Sequence, residues 1–349
     1  MVKPIWEVAP KAVRWFNWRY SLPKVALPSV PVLLGLKQIG RPDRPLALTC
    51  SISEDYARLW LYFARKALDA RQWDFLVIDS AGEMDPAKFE GAQVVRFLNL
   101  YHGVKVDLLL RKMIAAELVF LCDDDMYLLK DLSKMLSYLD DPKTPIVSLF
   151  PRDWWKFEIG AQEFLPMGSF ALLFKRSFLL RHHLRFQSPK GLNPQYKVTS
   201  LGVKPRTGYD TADYMNEQLL LMGYNVTILP DAEYVLGFKG LSDKRMLLMK
   251  SGKAYVKQAL LEVDHYKEGS VNGANMRSIY GIVKFERLYR YIFQEEPRVV
   301  SGFSETEFRE ILVDNPKIDD AQRVQVQQHF DKLDGIYEKL INYLGGEEL

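Results

Sequence analysis

Cysteine is nearly absent: the 349 residues hold two, Cys50 and Cys122, each inside an apolar run. This excludes a disulfide-stapled secreted scaffold and a cysteine-built zinc site, and it fits two reduced core thiols. A strong charge of either sign is also missing. Lys and Arg number 47 against 44 Asp and Glu, which leaves +3. A dedicated nucleic-acid binder carries a strongly basic domain, so no nucleic-acid partner is expected. No apolar run approaches the ~20 residues that span a bilayer. Lys3, Glu7, Lys11 and Arg14 interrupt the N-terminus where a secretory leader needs an apolar stretch. Internal repeats and low-complexity linkers are lacking as well. A cytoplasmic protein, soluble or held peripherally at a membrane, is expected. With 48% hydrophobic and 26% charged residues the composition is that of a globular chain.

Residues 1–45 differ from the rest. Trp6, Trp15, Phe16, Trp18 and Tyr20 stand among Lys3, Lys11, Arg14, Arg19 and Lys24, and prolines recur at 23, 28, 31, 42 and 45. No clean period emerges, which predicts an irregular aromatic and basic arm. Such an arm either packs on the main domain or docks on an anionic membrane or an acceptor. From Leu46 a βα rhythm begins. Leu46 to Ile52, Phe75 to Ile78, Leu118 to Cys122, Ile146 to Phe150, Ser169 to Phe174 and Val226 to Leu229 are short apolar runs that read as buried strands. Tyr56, Leu59, Trp60, Phe63, Ala64 and Ala67 recur at helical spacing behind Ser53, a suitable N-cap. Helices are also expected over 104–117, from Leu132 behind Asp131, and over about 211–222. Alternation of this kind with continuous apolar strands points to an α/β sheet of parallel character. Beyond about 245 the pattern is helical, with a capping-box spacing at Ser304 and Glu307 and an apolar face of Phe330, Leu333, Tyr337, Leu340 and Leu344.

The strongest chemical signal is Asp123-Asp124-Asp125, directly after LVFLC. Three consecutive carboxylates repel one another and are tolerated in solvent or around a cation. Asp123 and Asp125 have the i, i+2 spacing that points alternate side chains the same way. Their hard oxygens suit Mg²⁺ or Mn²⁺, and ligands of open α/β sheets gather at strand C-termini.

The stretch LVFLCDDDMYLLKDLSKML resembles the Asp-x-Asp region of GT-A glycosyltransferases, most of all the retaining family that includes glycogenin and the lipopolysaccharide galactosyltransferases. The resemblance covers about residues 46–270 and is dense around 118–136. It implies a GT-A fold, a Rossmann-like mixed sheet with flanking helices, over 46–270. The arm over 1–45 and a helical appendage over 271–349 lie outside it. It implies that Asp125 ligates a divalent metal, Mn²⁺ or Mg²⁺, that Asp123 contacts the metal or the nucleotide's ribose, and that Asp124 is the exchangeable middle residue of the donor site. Ser51 and Tyr56 match the polar turn and the aromatic near the nucleobase, although Tyr56 equally fits the helix core. Of Lys105 and Arg111, Arg111 is favoured as the partner of the Asp cluster. Met167-Gly168-Ser169-Phe170 resembles the family's Asn-x-Gly turn without its Asn, with Gly168 letting the sugar approach the backbone. Asp210 to Asn216 resembles the family's Asp-Gln-Asp-x-x-Asn segment. It makes Asp210 and Asp213, which i, i+3 spacing could aim into one cleft, the candidate catalytic carboxylates. His265 is the implied third metal ligand, and Lys267 the diphosphate contact.

The expected activity is metal-dependent transfer of a hexosyl group from a nucleotide-diphosphate sugar, UDP-sugar favoured, to a sugar, lipid or small-molecule acceptor. His265 as a ligand favours the retaining course. An inverting transferase, or a nucleotide-sugar or cation-binding protein without turnover, is the alternative. A sugar-1-phosphate nucleotidyltransferase would carry a Gly-rich loop where Ser51-Ile52-Ser53-Glu54 stands. A phosphatase would carry Thr or Val in place of Tyr127.

Overall fold

A computed structural model describes residues 22–150, 155–160, 162–194, 197–200, 209–229, 234–238, 241, 253, 254, 257, 271–298, 300–313, 315, 316 and 318–345. The chain divides into two compact units, one within residues 5–235 and one within 236–349.

The first unit is built on a seven-stranded mixed sheet in the order β11-β6-β9-β4-β1-β2-β3. Its strands are β1 (Leu46–Ser51), β2 (Asp74–Asp79), β3 (Gln93–Arg96), β4 (Leu118–Cys122), β6 (Ile146–Ser148), β9 (Ala171–Lys175) and β11 (Thr227–Ile228). β1 runs parallel to both β2 and β4, and β9 runs antiparallel between β4 and β6. The apolar runs are continuous because both faces of the sheet are covered. Leu46, Leu48, Leu76, Ile78, Val119 and Leu121 turn to one face. There they meet α1 (residues 22–33), α3 (His102–Lys112), α5 (Arg176–Arg181) and α6 (Asp213–Leu221) through residues such as Val32, Val106, Leu109, Leu179 and Met215. Ala47, Val77, Phe120 and Cys122 turn to the other face and meet α2 (Glu54–Ala67) through Ala57, Trp60 and Ala64, and α4 (Ser133–Tyr138) through Met135. Ser53 caps α2 by accepting the Tyr56 N–H at 3.4 Å. β5 (Met126–Leu128) follows the Asp triplet, and Tyr127 in it stacks on Phe63 at 5.0 Å. β7 (Trp155–Ile159), β8 (Gln162–Phe164) and β10 (Lys197–Ser200) make a separate antiparallel sheet.

The arm is not wholly irregular, since residues 22–33 form α1. The prolines concealed it. Pro23 sits in the first turn, where no intrahelical donor is needed. Pro28 and Pro31 each remove one donor, but Val25, Ser29 and Val32 are fully buried, so tertiary packing sustains the helix. Ser29 Oγ donates to the Val25 carbonyl at 2.6 Å and accepts the Leu98 N–H at 2.9 Å.

The second unit is helical, with α7 (Val271–Phe293), α8 (Glu305–Val313) and α9 (Asp320–Leu344). Ser304 caps α8 through the Glu307 N–H at 3.0 Å. Tyr280, Phe308 and Phe330 cluster in its core, with Tyr280 and Phe330 centroids 4.1 Å apart. The nearly buried Lys284 pairs with Glu305 at 2.7 Å and Asp334 at 2.8 Å. Among the described residues no helix is long and apolar enough to cross a membrane.

Candidate functional site

β1 is followed by β2 and β3 on one side of the sheet and by β4 on the other. The strand order therefore reverses between β1 and β4, and crevices for ligands open at the carboxyl ends of strands at such a point. Ser51 ends β1 and the Asp triplet follows β4. The two meet: Ser51 Oγ donates a hydrogen bond to Asp124 Oδ2 and accepts the Ser53 N–H at 3.0 Å. A tight turn displays the triplet, with the Asp123 N–H on the Phe170 carbonyl at 2.8 Å and the Met126 N–H on the Asp123 carbonyl at 3.2 Å. Asp124 and Asp125 are buried, whereas the Asp123 side chain keeps 27% of its surface open. Asp123 is thus the member of the triplet that a ligand reaches first.

Helix α3 brings a second set of groups. Lys105 is buried, and its Nζ donates to Ser80 Oγ at 2.6 Å. Burial lowers its pKa, and Cys50, Asp124 and Asp123 act against that lowering. Lys105 is the buried amine within electrostatic reach of Asp123 and Asp124 at this end of the sheet. Burial also pushes the Cys50 thiol up to about 11, so it stays protonated. His102, one turn before Lys105, has Nε2 at 3.8 Å from Asp123 Oδ1, too long for a hydrogen bond. Burial and the neighbouring Lys105 bring its pKa down to about 4, against the pull of Asp210, so the imidazole is neutral at pH 7. Tyr101 closes the group by donating from its hydroxyl to Asp210 Oδ1 at 3.0 Å. Asp210 and Asp123 thus flank the same helix start.

The segment before α6 explains which of its carboxylates is available. Ala212 has a left-handed φ of 68° and the helix starts only at Asp213. Asp210 lies outside the helix, so the i, i+3 rule that would aim Asp210 and Asp213 together does not apply. Asp213 is fully buried and accepts the Asp210 N–H at 2.7 Å. It shapes the turn that presents Asp210, which corrects the expectation that both face a cleft. Asn216, also fully buried, accepts the Met167 N–H at 2.8 Å and donates to the Met167 carbonyl at 3.2 Å and the Ala212 carbonyl at 2.9 Å. It ties the Met167-Gly168 turn to α6. A Cβ on Gly168 would stand 2.7 Å from the Phe170 ring and 3.0 Å from the Phe150 carbonyl, so the turn has no room for a side chain.

Other sequence expectations fare differently. Tyr56 is fully buried, so its ring offers no open face to a nucleobase. Arg111 is exposed and lies beside Asp107, one helical turn back, not at the Asp cluster. Lys105, six residues earlier and on another side of α3, occupies the expected place. His265 and Lys267 lie outside the described residues. His102 and Tyr101 were missed. The available signal was their position at a helix start, with His102 and Lys105 at i, i+3.

Among the described residues no group of three or more His, Cys, Asp and Glu side chains is gathered to hold a metal. The donor chemistry nonetheless fits a hard divalent ion. The triplet offers carboxylate oxygens only, with Asp123 open, and Mg²⁺ takes one or two carboxylates while keeping waters or substrate phosphates.

No family model matches the chain, and no curated protein matches it. Among solved structures it is similar to residues 1–349 of S. aureus TarS, at 11% identity over 87% of this chain and 92% of that one, with a TM-score of 0.35. It is also similar to the mannosyltransferase PcManGT from Pyrobaculum calidifontis, in complex with GDP-Man and Mn²⁺, at 12% identity over 97% and 88%, with a TM-score of 0.36. The galactosyltransferase LgtC with donor and acceptor sugar analogs is similar at 13% identity over 40% and 60%, with a TM-score of 0.31. At these scores the likeness does not extend to donor or acceptor.

Proposed function

We propose that the chain is a GT-A glycosyltransferase that moves a hexosyl group from a nucleotide-diphosphate sugar, UDP-sugar first among donors, to an acceptor hydroxyl. One observation carries the reading. The Asp triplet and Ser51 meet across the point where strand order reverses, with Lys105, His102 and Asp210 around them. Asp123 and Asp125 would hold a Mn²⁺ or Mg²⁺ ion together with the donor's phosphates. When bound, such an ion supplies Lewis-acid neutralisation of charge that grows on the leaving diphosphate. Ser51 keeps Asp124 in place. Lys105 holds an amine donor on the same side, already oriented by Ser80. Asp210 faces the sugar side: in a retaining course its carboxylate stabilises positive charge at the anomeric carbon while the departing phosphate takes the acceptor's proton. In an inverting course it takes that proton itself. Neutral His102, between Asp123 and Asp210, is suited to hydrogen-bond a sugar hydroxyl without adding charge.

The test is a thermal-shift screen of UDP-, GDP-, dTDP- and CMP-sugars with and without Mn²⁺, on the wild type and on Asp125→Asn. Ligand at a hundredfold its Kd adds about 2.7 kcal/mol of stability. A metal-dependent shift for one donor class, lost in Asp125→Asn, is the expected result. A donor shift indifferent to metal and to Asp125 would overturn the metal role. Binding without release of free nucleotide in the presence of any acceptor would make the chain a binding protein.

A further inference from the structure

Helix α1 has two opposite faces. Val25, Ser29 and Val32 are buried, Val32 in the core on one face of the sheet. On the far side Leu27 is 80% exposed and Val30 44%, and just beyond the helix Leu34 is 64% and Leu36 76% exposed. Pro23 and Pro31 share that outward side and are exposed too. A row of large apolar side chains held in water on a firmly anchored helix costs solubility and marks an interaction surface.

Charge says what covers it. Residues 1–45 carry eight Lys and Arg against two Asp and Glu, a net +6, so the remainder of the chain nets −3. No Asp or Glu stands between Glu7 and Asp43. Lys24 is paired with Glu83, and Arg41 and Arg44 with Asp74, but Lys37, next to Leu36, is exposed. The sequence running into α1 adds Trp15, Phe16, Trp18 and Tyr20 among Arg14 and Arg19. Aromatic and basic residues beside an apolar helix face are the composition of an interfacial segment on anionic lipid.

We propose that the outward face of α1 and the turn after it, made of Leu27, Val30, Leu34 and Leu36, lies on an anionic lipid bilayer, with Lys37 at the headgroups. The inference does not depend on the transferase reading, because binding to lipid needs neither donor nor metal. The full chain is sedimented with phosphatidylcholine vesicles, with and without about a third phosphatidylglycerol, at low and high salt. The wild type is expected to bind the anionic vesicles and to release at high salt. The triple variant Leu27→Ser, Leu34→Ser, Leu36→Ser is expected to lose binding more than about tenfold. Lys37→Glu is expected to lose it about fivefold or more at low salt. Because these side chains are exposed, circular dichroism and the unfolding midpoint should stay at wild-type values. Undiminished binding by the triple variant overturns the proposal and leaves residues 1–21 as the contact. Equal binding to neutral vesicles overturns the anionic requirement. A dimer that the triple variant disrupts, without vesicle binding, makes the face a contact between copies.

Discussion

Replacing Asn216 tests how the site is held. Its amide makes three hydrogen bonds inside a fully buried position, two to Met167 and one to the Ala212 carbonyl. The Ala212 carbonyl keeps a second partner, the Asn216 backbone N–H at 2.9 Å. Met167 loses both of its amide partners. At about 1 kcal/mol per net bond, and more for the orphaned Met167 N–H, Asn216→Ala should cost about 3 kcal/mol. Asn216→Asp separates hydrogen bonding from shape. The carboxylate still accepts the Met167 N–H, but sets an oxygen against two carbonyls that formerly received protons. At pH 7 the loss should be at least as large as for Ala. Burial and the nearby Asp213 should raise the new carboxyl's pKa above its ordinary value of about 3.9. A carboxyl raised in the folded state binds more protons folded than unfolded, so stability should fall as pH rises through that window. In acid the protonated group can again donate to one carbonyl.

The assay is urea unfolding followed by circular dichroism at pH 5 and pH 7.5, with the wild type at each pH as reference. Asn216→Asp should recover part of its deficit at pH 5, and Asn216→Ala should not. Donor-induced thermal shifts should shrink in both variants, because the Met167-Gly168 turn and the Asp210 turn lose their common tie. A cost under about 1 kcal/mol, or an Asp variant that follows the wild-type pH response, would refute the reasoning.

Lys105→Met should destabilise the protein by about 3 kcal/mol, since it removes the buried bond to Ser80 and the attraction to Asp123 and Asp124. Mn²⁺ should then stabilise the variant more than the wild type, and equal gains in denaturant unfolding would show that Lys105 does not balance the Asp cluster. Burial pushes the Asp107 carboxyl up to about 6, although it accepts the Phe186 N–H at 2.9 Å and the Gln187 N–H at 3.1 Å. A raised folded pKa means stability lost as pH climbs from about 4 to about 6, by at most about 1.4 kcal/mol per pH unit. Asp107→Asn should remove that slope, and an unchanged difference between the two proteins across this range would count against it.

Much of this was legible in the sequence where burial leaves a continuous mark. β1, β2 and β4 each hold a continuous apolar run because helices cover both faces, and the polar residues Ser51, Asp79 and Asp123 at their carboxyl ends mark where the sheet meets its crevice. The direction of β9 was not legible, since a doubly buried strand reads the same either way. β3, four residues with two exposed, carried too little apolar pattern to be seen. The prolines of α1 argued against a helix because propensity ignores the tertiary packing of Val25 and Val32. Preferring Arg111 to Lys105 weighed the residue type above the helix face. Aiming Asp213 at a cleft assumed helical spacing across Ala212, whose positive φ breaks it.

The sharpest sequence ambiguity is that β2 and β4 both lead into aspartate at the same end of the sheet. Asp79 ends β2 and is fully buried. Its carboxylate accepts N–H groups from Ala81 at 3.0 Å, Gly82 at 2.7 Å and Met84 at 3.0 Å. An anion that organises three backbone donors is a loop-builder. Asp123 follows β4 with a backbone fixed by Phe170 and a side chain partly open beside a neutral histidine. The two should therefore separate cleanly on substitution. Asp79→Ala removes three charge-assisted bonds and strands buried N–H groups, so it should cost about 3 kcal/mol. Donor affinity of the surviving folded protein should remain within about twofold, a change of about 0.4 kcal/mol. Asp123→Asn should leave the unfolding midpoint nearly unchanged and abolish the metal-dependent donor shift. Calorimetric titration of a UDP-sugar with Mn²⁺ against both folded variants reads the difference. If Asp123→Asn destabilises the protein as much as Asp79→Ala and binds donor normally, the triplet is a structural turn and the transferase reading loses its centre.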